Sequence, residues 1–137
     1  MRYFIDTNVL INLIEDDFIS ADVDAIMNDS ENVGYISSEC VREYIQLLQA
    51  GSIKPKKGKD KVDVFDFIEN ELGLIIKYIA KEHLKTFAKL EIVEKHKDPF
   101  DRLIIAHAIT EKMPIISSDN LFKKYRKLGL ELIFNNA

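Results

Sequence analysis

The chain has 137 residues, of which 47% are hydrophobic and 31% charged, and its formal charge at pH 7 is −4. This length and composition predict a single folded domain over residues 1–137, and they exclude a disordered chain. No apolar stretch approaches the roughly 20 residues of a membrane helix, so we expect no membrane partner and a cytoplasmic location.

Apolar periodicity predicts that strands and helices alternate along the chain. The predicted elements begin with a strand over Arg2–Asp6, helices over Asn8–Glu15 and Asp22–Asn28, a strand over Val33–Ser37, a helix over Ser38–Ala50, a lysine-rich loop over Gly51–Lys61, a helix over Val62–Leu72 and a strand over Leu74–Ile79. They continue with helices over Lys81–Leu90 and Asp98–Lys112, a strand over Pro114–Ser118, a short basic helix over Leu121–Leu128 and a strand over Leu130–Phe134. Short apolar strands separated by helices predict an α/β domain of three layers around a parallel sheet of about five strands.

Four acidic residues occupy positions where such a sheet would gather them: Asp6, Glu43, Asp101 and Asp119. Ligands of open parallel sheets bind beyond the carboxyl ends of the strands. Carboxylates gathered there repel one another, by roughly 3 kcal/mol per pair at ~5 Å and an effective dielectric constant of about 20. Such a cluster requires a proton or a hard divalent cation. The pattern therefore predicts a magnesium or manganese site for phosphodiester hydrolysis.

Two of these acids have an alternative interpretation as helix caps. Asp6 follows a strand and precedes a helix, but Thr7 and Asn8 are equally good caps, which would leave Asp6 free as a ligand. Asp119 stands in the same position after the strand that ends near Ser118, and that serine could cap the next helix instead.

The other two acids lie on predicted helices. Asp98 is predicted to be an N-cap and Pro99 the first helical residue, which puts Asp101 at the third position. The following helix is apolar nearly all round and hence buried, and its positive end would stabilise the Asp101 carboxylate. We take Asp101 as the ligand and Asp98 as the cap and an auxiliary acid. Glu43 would be an ordinary solvated residue on its own, but Val41 and its apolar neighbours put it at the edge of a buried face.

Four segments together resemble the PIN-domain family, especially the VapC-type toxins of bacterial toxin–antitoxin pairs. The segments are YFIDTNVLINLI with Asp6, SSECVREY with Glu43, DPFDRLIIAHAI with Asp101 and IISSDNLF with Asp119. The resemblance extends from near the N-terminus to Phe134. The lysine-rich loop and the acidic total charge depart from the family pattern.

The resemblance implies a PIN-like fold and a metal-dependent endoribonuclease that acts as a toxin. One or two Mg²⁺ or Mn²⁺ ions would be bound directly by Asp6 and Asp101, and Glu43 and Asp119 would complete the site directly or through water. Cleavage would leave a 3′-hydroxyl and a 5′-phosphate. RNA, a cognate antitoxin and a second copy of the chain are the implied partners. Orienting donors around the carboxylates are expected from Thr7, Asn8 and Ser118.

Basic, histidine and cysteine residues are less informative. Lysines crowd the loop at Lys54, Lys56, Lys57, Lys59 and Lys61, and a second basic cluster follows Asp119: Lys123, Lys124, Arg126 and Lys127. Solvated surface charge explains both clusters, but the second could contact the RNA backbone because it lies next to an acid of the site. The histidines have no paired spacing that suggests a shared metal, and the single cysteine excludes an internal disulfide.

Three other interpretations compete with this one. A PIN-like domain could serve as a catalytically silent binding or assembly module, or as a housekeeping nuclease in RNA processing; a module would not need all four acids. A magnesium-dependent phosphatase with an aspartyl nucleophile would carry a second aspartate two positions after Asp6, where this chain has Asn8.

Overall fold

The computed structural model describes residues 1–54, 63–93 and 98–136. In chain order the elements are β1 (Arg2–Ile5), α1 (Thr7–Ile14), α2 (Ala21–Asn28), β2 (Val33–Ser37), α3 (Ser38–Gln49), α4 (Val64–Asp66) continued by a π-helical turn (Phe67–Glu71), β3 (Ile75–Lys77), α5 (Lys81–Lys89), α6 (Pro99–Glu111), β4 (Ile115–Ser117), a 3₁₀ helix (Asn120–Leu128) and β5 (Leu132–Phe134). The predictions for residues 55–62 and for His96 fall outside the described residues.

The five strands form one parallel sheet in the order β3-β2-β1-β4-β5. The strand β1 lies in the middle, where Ile5 is opposite Ile36 of β2 on one side and Ile116 of β4 on the other. The predicted α/β fold with a five-stranded parallel sheet is therefore confirmed. The arrangement brings the carboxyl ends of β1, β2 and β4 to one edge.

The central strands are buried on both faces. The last three residues of β1 and all three residues of β4 are buried, as expected for parallel strands with helices on either side. The largest fully buried side chains come from strands and helices alike: Phe4, Ile5, Leu10, Ile14, Ile36, Ile68, Ile104, Ile105, Ile115, Ile116, Phe122 and Tyr125. The sheet is thus a rigid support for the residues at its edge.

A glycine in β2 leaves room for two neighbouring side chains to pack over it. A Cβ atom on Gly34 would lie 2.5 Å from Leu74 Cδ2 and 2.6 Å from Tyr3 Oη. Because these contacts are far inside van der Waals distance, a larger residue at this position would force the Leu74 and Tyr3 side chains to move.

Two predicted helices take other forms. The segment predicted as a helix over Val62–Leu72 begins at Val64, where Asp63 caps it, and continues as the π-helical turn until Gly73 ends it with φ +65°. The basic segment predicted as a helix over Leu121–Leu128 is a 3₁₀ helix that ends at Gly129 with φ +104°. Periodicity detects a helical turn but does not distinguish these hydrogen-bonding patterns.

Among the residues that the structure describes, no helix is both long and apolar enough to cross a membrane.

Candidate metal centre

The four predicted acids lie around one cavity of about 180 Å³ at the carboxyl edge of the sheet. Each comes from a different element. Asp6 follows β1, Glu43 is on α3, Asp101 is in the first turn of α6, and Asp119 follows β4 and caps the 3₁₀ helix. The remaining lining residues are Thr7, Asn8, Ile11 and Leu47.

Asp6 is buried at the base of the cavity and its carboxylate is fixed by hydrogen bonds. Oδ1 accepts the backbone N–H of Thr7 at 2.7 Å, and Oδ2 accepts the Ser117 hydroxyl at 2.8 Å and the Asn8 side-chain amide at 3.2 Å. Asp6 is itself the N-cap of α1, so the expectation that Thr7 or Asn8 would take that position is wrong. Capping uses only part of a carboxylate's acceptor capacity, which leaves room for a further ligand.

Burial makes Asp6 costly to ionise without a cation. Loss of solvent raises the pKa of Asp6 to about 7, although the Ser117 and Thr7 hydrogen bonds lower it and the charges of Asp101 and Glu43 raise it further. This coupling places two other acids within electrostatic range of Asp6. The predicted repulsion among carboxylates is thus present in the folded chain.

The donors around Asp6 differ in part from the expected set. Asn8 donates its side-chain amide to Asp6, whereas Thr7 contributes its backbone N–H. Ser117, rather than Ser118, donates its hydroxyl, and Ser117 Oγ also accepts the N–H of Asp119 at 3.0 Å. Ser118 acts on Asn8 instead, since its N–H donates to Asn8 Oδ1 at 3.3 Å. The pairing of β1 with β4 places Ser117 beside Asp6, because Ile5 is opposite Ile116 and each is the preceding residue.

Sequence reasoning did not associate Cys40 with this site. The Cys40 thiol is fully buried, with Sγ 3.8 Å from the carbonyl oxygen of Ile5 and 4.0 Å from Asp6 Oδ1. Burial, followed by the negative charge of Asp6, raises the pKa of the Cys40 thiol well above its ordinary value. The thiol is therefore protonated at pH 7 and forms a weakly polar wall behind the carboxylate.

The N-terminus of α6 presents Asp101 as the sequence predicts. Asp98 caps the helix by accepting the N–H groups of Phe100 at 2.9 Å and Asp101 at 3.4 Å, and Pro99 is the first helical residue. On the neighbouring helix α3, the Arg42 guanidinium carbon lies 4.0 Å from the centre of the Phe100 ring. This cation–π contact joins the helix that carries Glu43 to the helix that carries Asp101.

The cavity suits an ion that keeps part of its water. Among the described residues, the four acids do not form a group of three side chains whose ligand atoms all lie within 4.8 Å of one another. Such a group occurs elsewhere in the protein and is described below. Mg²⁺ usually retains several waters and takes only one or two carboxylates directly. The buried, hydrogen-bonded Asp6 and the open cavity beside it therefore fit a partly hydrated cation.

The compact group consists of His83, His107 and Glu111, which the spacing of histidines in the sequence did not predict. Packing of α5 against α6 brings the two imidazole rings to 4.1 Å between centroids. His83 Nδ1 accepts the N–H of Ala80 at 2.8 Å, so Nε2 carries the proton and donates to Glu111 at 2.7 Å. Glu111 also pairs with Lys77 at 3.1 Å. Since His83 has no free lone pair, this cluster joins helices rather than offering ligands to a cation.

His107, the third member of this cluster, contacts the residue that caps α3. Its Nδ1 lies 2.9 Å from the Ser37 hydroxyl, which caps α3 by accepting the N–H of Glu39. Burial, together with the neighbouring His83, lowers the pKa of His107 to about 4, so the ring is uncharged at pH 7.

Two of the basic side chains on the 3₁₀ helix contact residues of the strand β5. The Lys123 ammonium lies 3.9 Å from the centre of the Phe134 ring, and Arg126 donates to the carbonyl oxygen of Leu132 at 3.2 Å. Lys127 is exposed, while Lys124 is partly buried. In the lysine-rich loop, Lys54 is exposed and the other lysines lie outside the described residues.

The fold and the acid-lined cavity define an α/β protein with its ligand site at the carboxyl edge of a parallel sheet. The PIN domain family model matches residues 3–128, and the chain belongs to this family. No curated protein sequence matches the chain.

Solved structures of toxin–antitoxin complexes share the fold. A chain of VapBC2 from Rickettsia felis, bound to a DNA fragment from its promoter, is 23% identical with a TM-score of 0.73, over 98% of both chains. DNA-bound VapBC from Salmonella typhimurium gives 17% identity and a TM-score of 0.68, again over 98% of both chains. VapBC-1 from nontypeable Haemophilus influenzae gives 17% and 0.63 with the same coverage.

Proposed function

We propose that this protein is a metal-dependent endoribonuclease and the toxin of a toxin–antitoxin pair. The observation that carries the proposal is the convergence of four acids around the buried Asp6 carboxylate, in a chain that belongs to the PIN domain family. An acid that is buried, fixed by donors and surrounded by other acids is costly unless a cation compensates the charge. Such an arrangement is typical of a functional site.

Asp6 and Asp101 would hold Mg²⁺ or Mn²⁺ directly, with Glu43 and Asp119 completing the site directly or through water. When bound, such an ion makes hydroxide available near neutral pH and compensates charge on the scissile phosphate. The protein's own contribution is orientation. Ser117 and Asn8 fix one oxygen of Asp6, and the N–H of Thr7 fixes the other.

The partners follow from the same reasoning. The similar structures are VapBC complexes, which supports a cognate antitoxin as the partner of this chain. RNA as substrate, a homodimeric state and a cytoplasmic location are proposed with it. The exposed Lys127 and its basic neighbours beside Asp119 are the proposed contacts for the RNA backbone.

The decisive experiment compares cleavage of a mixed structured RNA by the wild-type protein, Asp101→Asn and the control Asp24→Asn. Asp24 is an exposed residue of α2. We expect cleavage in Mg²⁺ or Mn²⁺ but not in EDTA, no change in Asp24→Asn, and a loss of at least about 100-fold in Asp101→Asn, because even the outer partners of metal ligands are worth about 10- to 100-fold. Circular dichroism should show that both variants are folded.

Cleavage that survives both EDTA and Asp101→Asn would contradict the proposal. If the wild type binds Mn²⁺ and an antitoxin yet cuts no RNA in a broad mixture, the silent binding module becomes the better interpretation.

A further inference from the structure

A buried asparagine beyond the last strand contacts the loop that holds the acid centre. Asn135 follows β5 and is 1% exposed. Its backbone N–H donates to the carbonyl oxygen of Ser117 at 2.9 Å, and its side-chain Nδ2 donates to Ser118 Oγ at 3.1 Å. One residue thus contacts both Ser117, the last residue of β4, and Ser118, which follows it.

These two serines control the orientation of Asp6. The Ser117 hydroxyl donates to Asp6 Oδ2, and the Ser118 N–H donates to Asn8 Oδ1. The second bond determines which way the Asn8 amide faces: with its oxygen held by Ser118, its NH₂ group points to Asp6. A displaced Ser118 would let that amide rotate and present oxygen to a carboxylate.

The other side of Asn135 is attached to a different part of the chain. Its Oδ1 accepts the backbone N–H of Ser20 at 2.9 Å, at the N-cap of α2. Ser20 lies between α1 and α2, and Asp6 caps α1. Asn135 therefore connects the segment between these two helices to the end of β4 and to Ser118. A buried amide with both its donor and its acceptor occupied is a rigid connection.

We propose that Asn135 is a positioning residue of the metal centre, acting through Ser118 and Asn8 on the Asp6 carboxylate. The role rests on the function proposed above. Partners outside the direct ligands commonly tune metal affinity, because they fix the orientation of those ligands.

The test uses four single variants of the full chain, Asn135→Ala, Ser118→Ala, Asn8→Ala and the matched control Asn136→Ala, together with the double variant Asn8→Ala/Asn135→Ala. Asn136 has the same side chain one position further along and is exposed. Ser118→Ala removes only the hydroxyl that Asn135 contacts, so it remains informative if Asn135→Ala does not fold. Mn²⁺ affinity is measured by calorimetry without RNA, and the side-chain amide resonances of Asn8 are followed by NMR in metal-free protein.

We expect Asn135→Ala and Ser118→Ala each to weaken Mn²⁺ binding about 3- to 10-fold, less than a direct partner of a ligand would. Both should shift the Asn8 amide resonances, whereas Asn136→Ala changes neither quantity. In an Asn8→Ala background, Asn135→Ala should weaken Mn²⁺ binding no further, because Asn135 is proposed to act on Asp6 through the Asn8 side chain.

A lower melting temperature with unchanged Mn²⁺ affinity in both Asn135→Ala and Ser118→Ala would overturn the assignment and leave Asn135 a stabilising residue only. If the wild type itself does not bind Mn²⁺, the metal-dependent nuclease fails. In that case the NMR measurement tests the positioning role by itself. If the Asn8 side-chain amide resonances are the same in Ser118→Ala, Asn135→Ala and the wild type, the positioning role is wrong.

Discussion

At the scale of single residues, the chemistry of the centre is concentrated in Asp6. Its carboxylate is buried beside other acids, yet donors from Thr7, Asn8 and Ser117 surround it. These donors favour the ionised form, while burial opposes it more strongly. Metal-free protein therefore holds a proton on Asp6 at a pH where an exposed aspartate has lost it.

This protonation predicts how stability changes with pH. The pKa of Asp6 is 3.8 ordinarily and about 7 in the folded chain. Between these values the folded state binds more protons than the unfolded state, so stability falls as the pH rises from about 4 to about 7 and stays lower above that. The contribution is at most about 4 kcal/mol. In EDTA, urea unfolding should show higher stability near pH 5 than at pH 8.

Asp6→Asn isolates this contribution, because asparagine does not titrate. The variant should lose the part of the pH dependence that Asp6 causes, and saturating Mn²⁺ should stabilise the wild type at pH 8 but not the variant. An identical pH dependence in wild type and variant would show that Asp6 does not titrate in this range.

Three of the acids that line the cavity can each be located from the sequence segment around it. Asp6 and Asp119 follow strands, and Asp101 begins a helix, so each position can be found from its own segment. The roles of Cys40, Ser117 and Asn135 depend on contacts between distant segments. Such contacts follow from side-chain packing, which periodicity does not contain.

At the scale of elements, the start of α6 illustrates how one helix cap positions an acid that lines the cavity. Asp98 accepts two N–H groups, one of them from Asp101 itself. The positive end of the helix also stabilises the Asp101 carboxylate. The cap and the proposed metal ligand thus belong to the same turn.

Removing this cap should affect both stability and metal binding. Asp98→Ala should lower the free energy of unfolding by about 1 kcal/mol and weaken Mn²⁺ binding, since the first turn carrying Asp101 loosens. Asp98→Ser preserves the cap without a charge. Urea unfolding and calorimetry distinguish the two roles: recovery in the serine variant assigns Asp98 to capping alone, whereas weak Mn²⁺ binding in a stable serine variant would assign it a charge role.

Element boundaries were predictable where a cap or a glycine marks them. Asp98 begins α6, and Gly73 and Gly129 end helical segments with positive φ. The π-helical turn and the 3₁₀ helix were not predictable, because both bury one side much as an α-helix does. The pairing of His83 with His107 likewise depends on how α5 packs on α6, which no single segment determines.

At the scale of the whole molecule, an acidic chain is proposed to bind an acidic polymer. The formal charge is −4, so any attraction to RNA must be local. The 3₁₀ helix beside Asp119 offers the exposed Lys127, whereas Lys123 lies against Phe134 and Arg126 is bonded to a backbone carbonyl.

The salt dependence of RNA binding tests this local contact. In the non-cleaving Asp101→Asn background, Lys127→Ala should weaken binding of single-stranded RNA. It should also reduce the slope of log affinity against log salt by about 0.7, the expected contribution of one phosphate contact. Lys85→Ala, on the exposed side of α5, is the control. An unchanged slope in Lys127→Ala, measured by fluorescence anisotropy, would place the RNA elsewhere.

The fold class was predictable because five apolar runs alternate with helices, and parallel sheets bury such runs on both faces. The order of the strands in the sheet was not predictable, because many strand orders are compatible with the same alternation of strands and helices along the chain. The order determines which acids meet: with β1 between β2 and β4, Asp6 lies between the segments that carry Glu43 and Asp119.

The central position of β1 also has a consequence for biosynthesis. Chains emerge from the ribosome N-terminal residues first, so Asp6 and Glu43 leave it well before Asp101 and Asp119. Because β4 pairs directly with β1, the acid centre is incomplete until the segment through Ser117 has emerged and docked. A polypeptide that stalls before the segment through Ser117 has emerged therefore has no assembled acid centre.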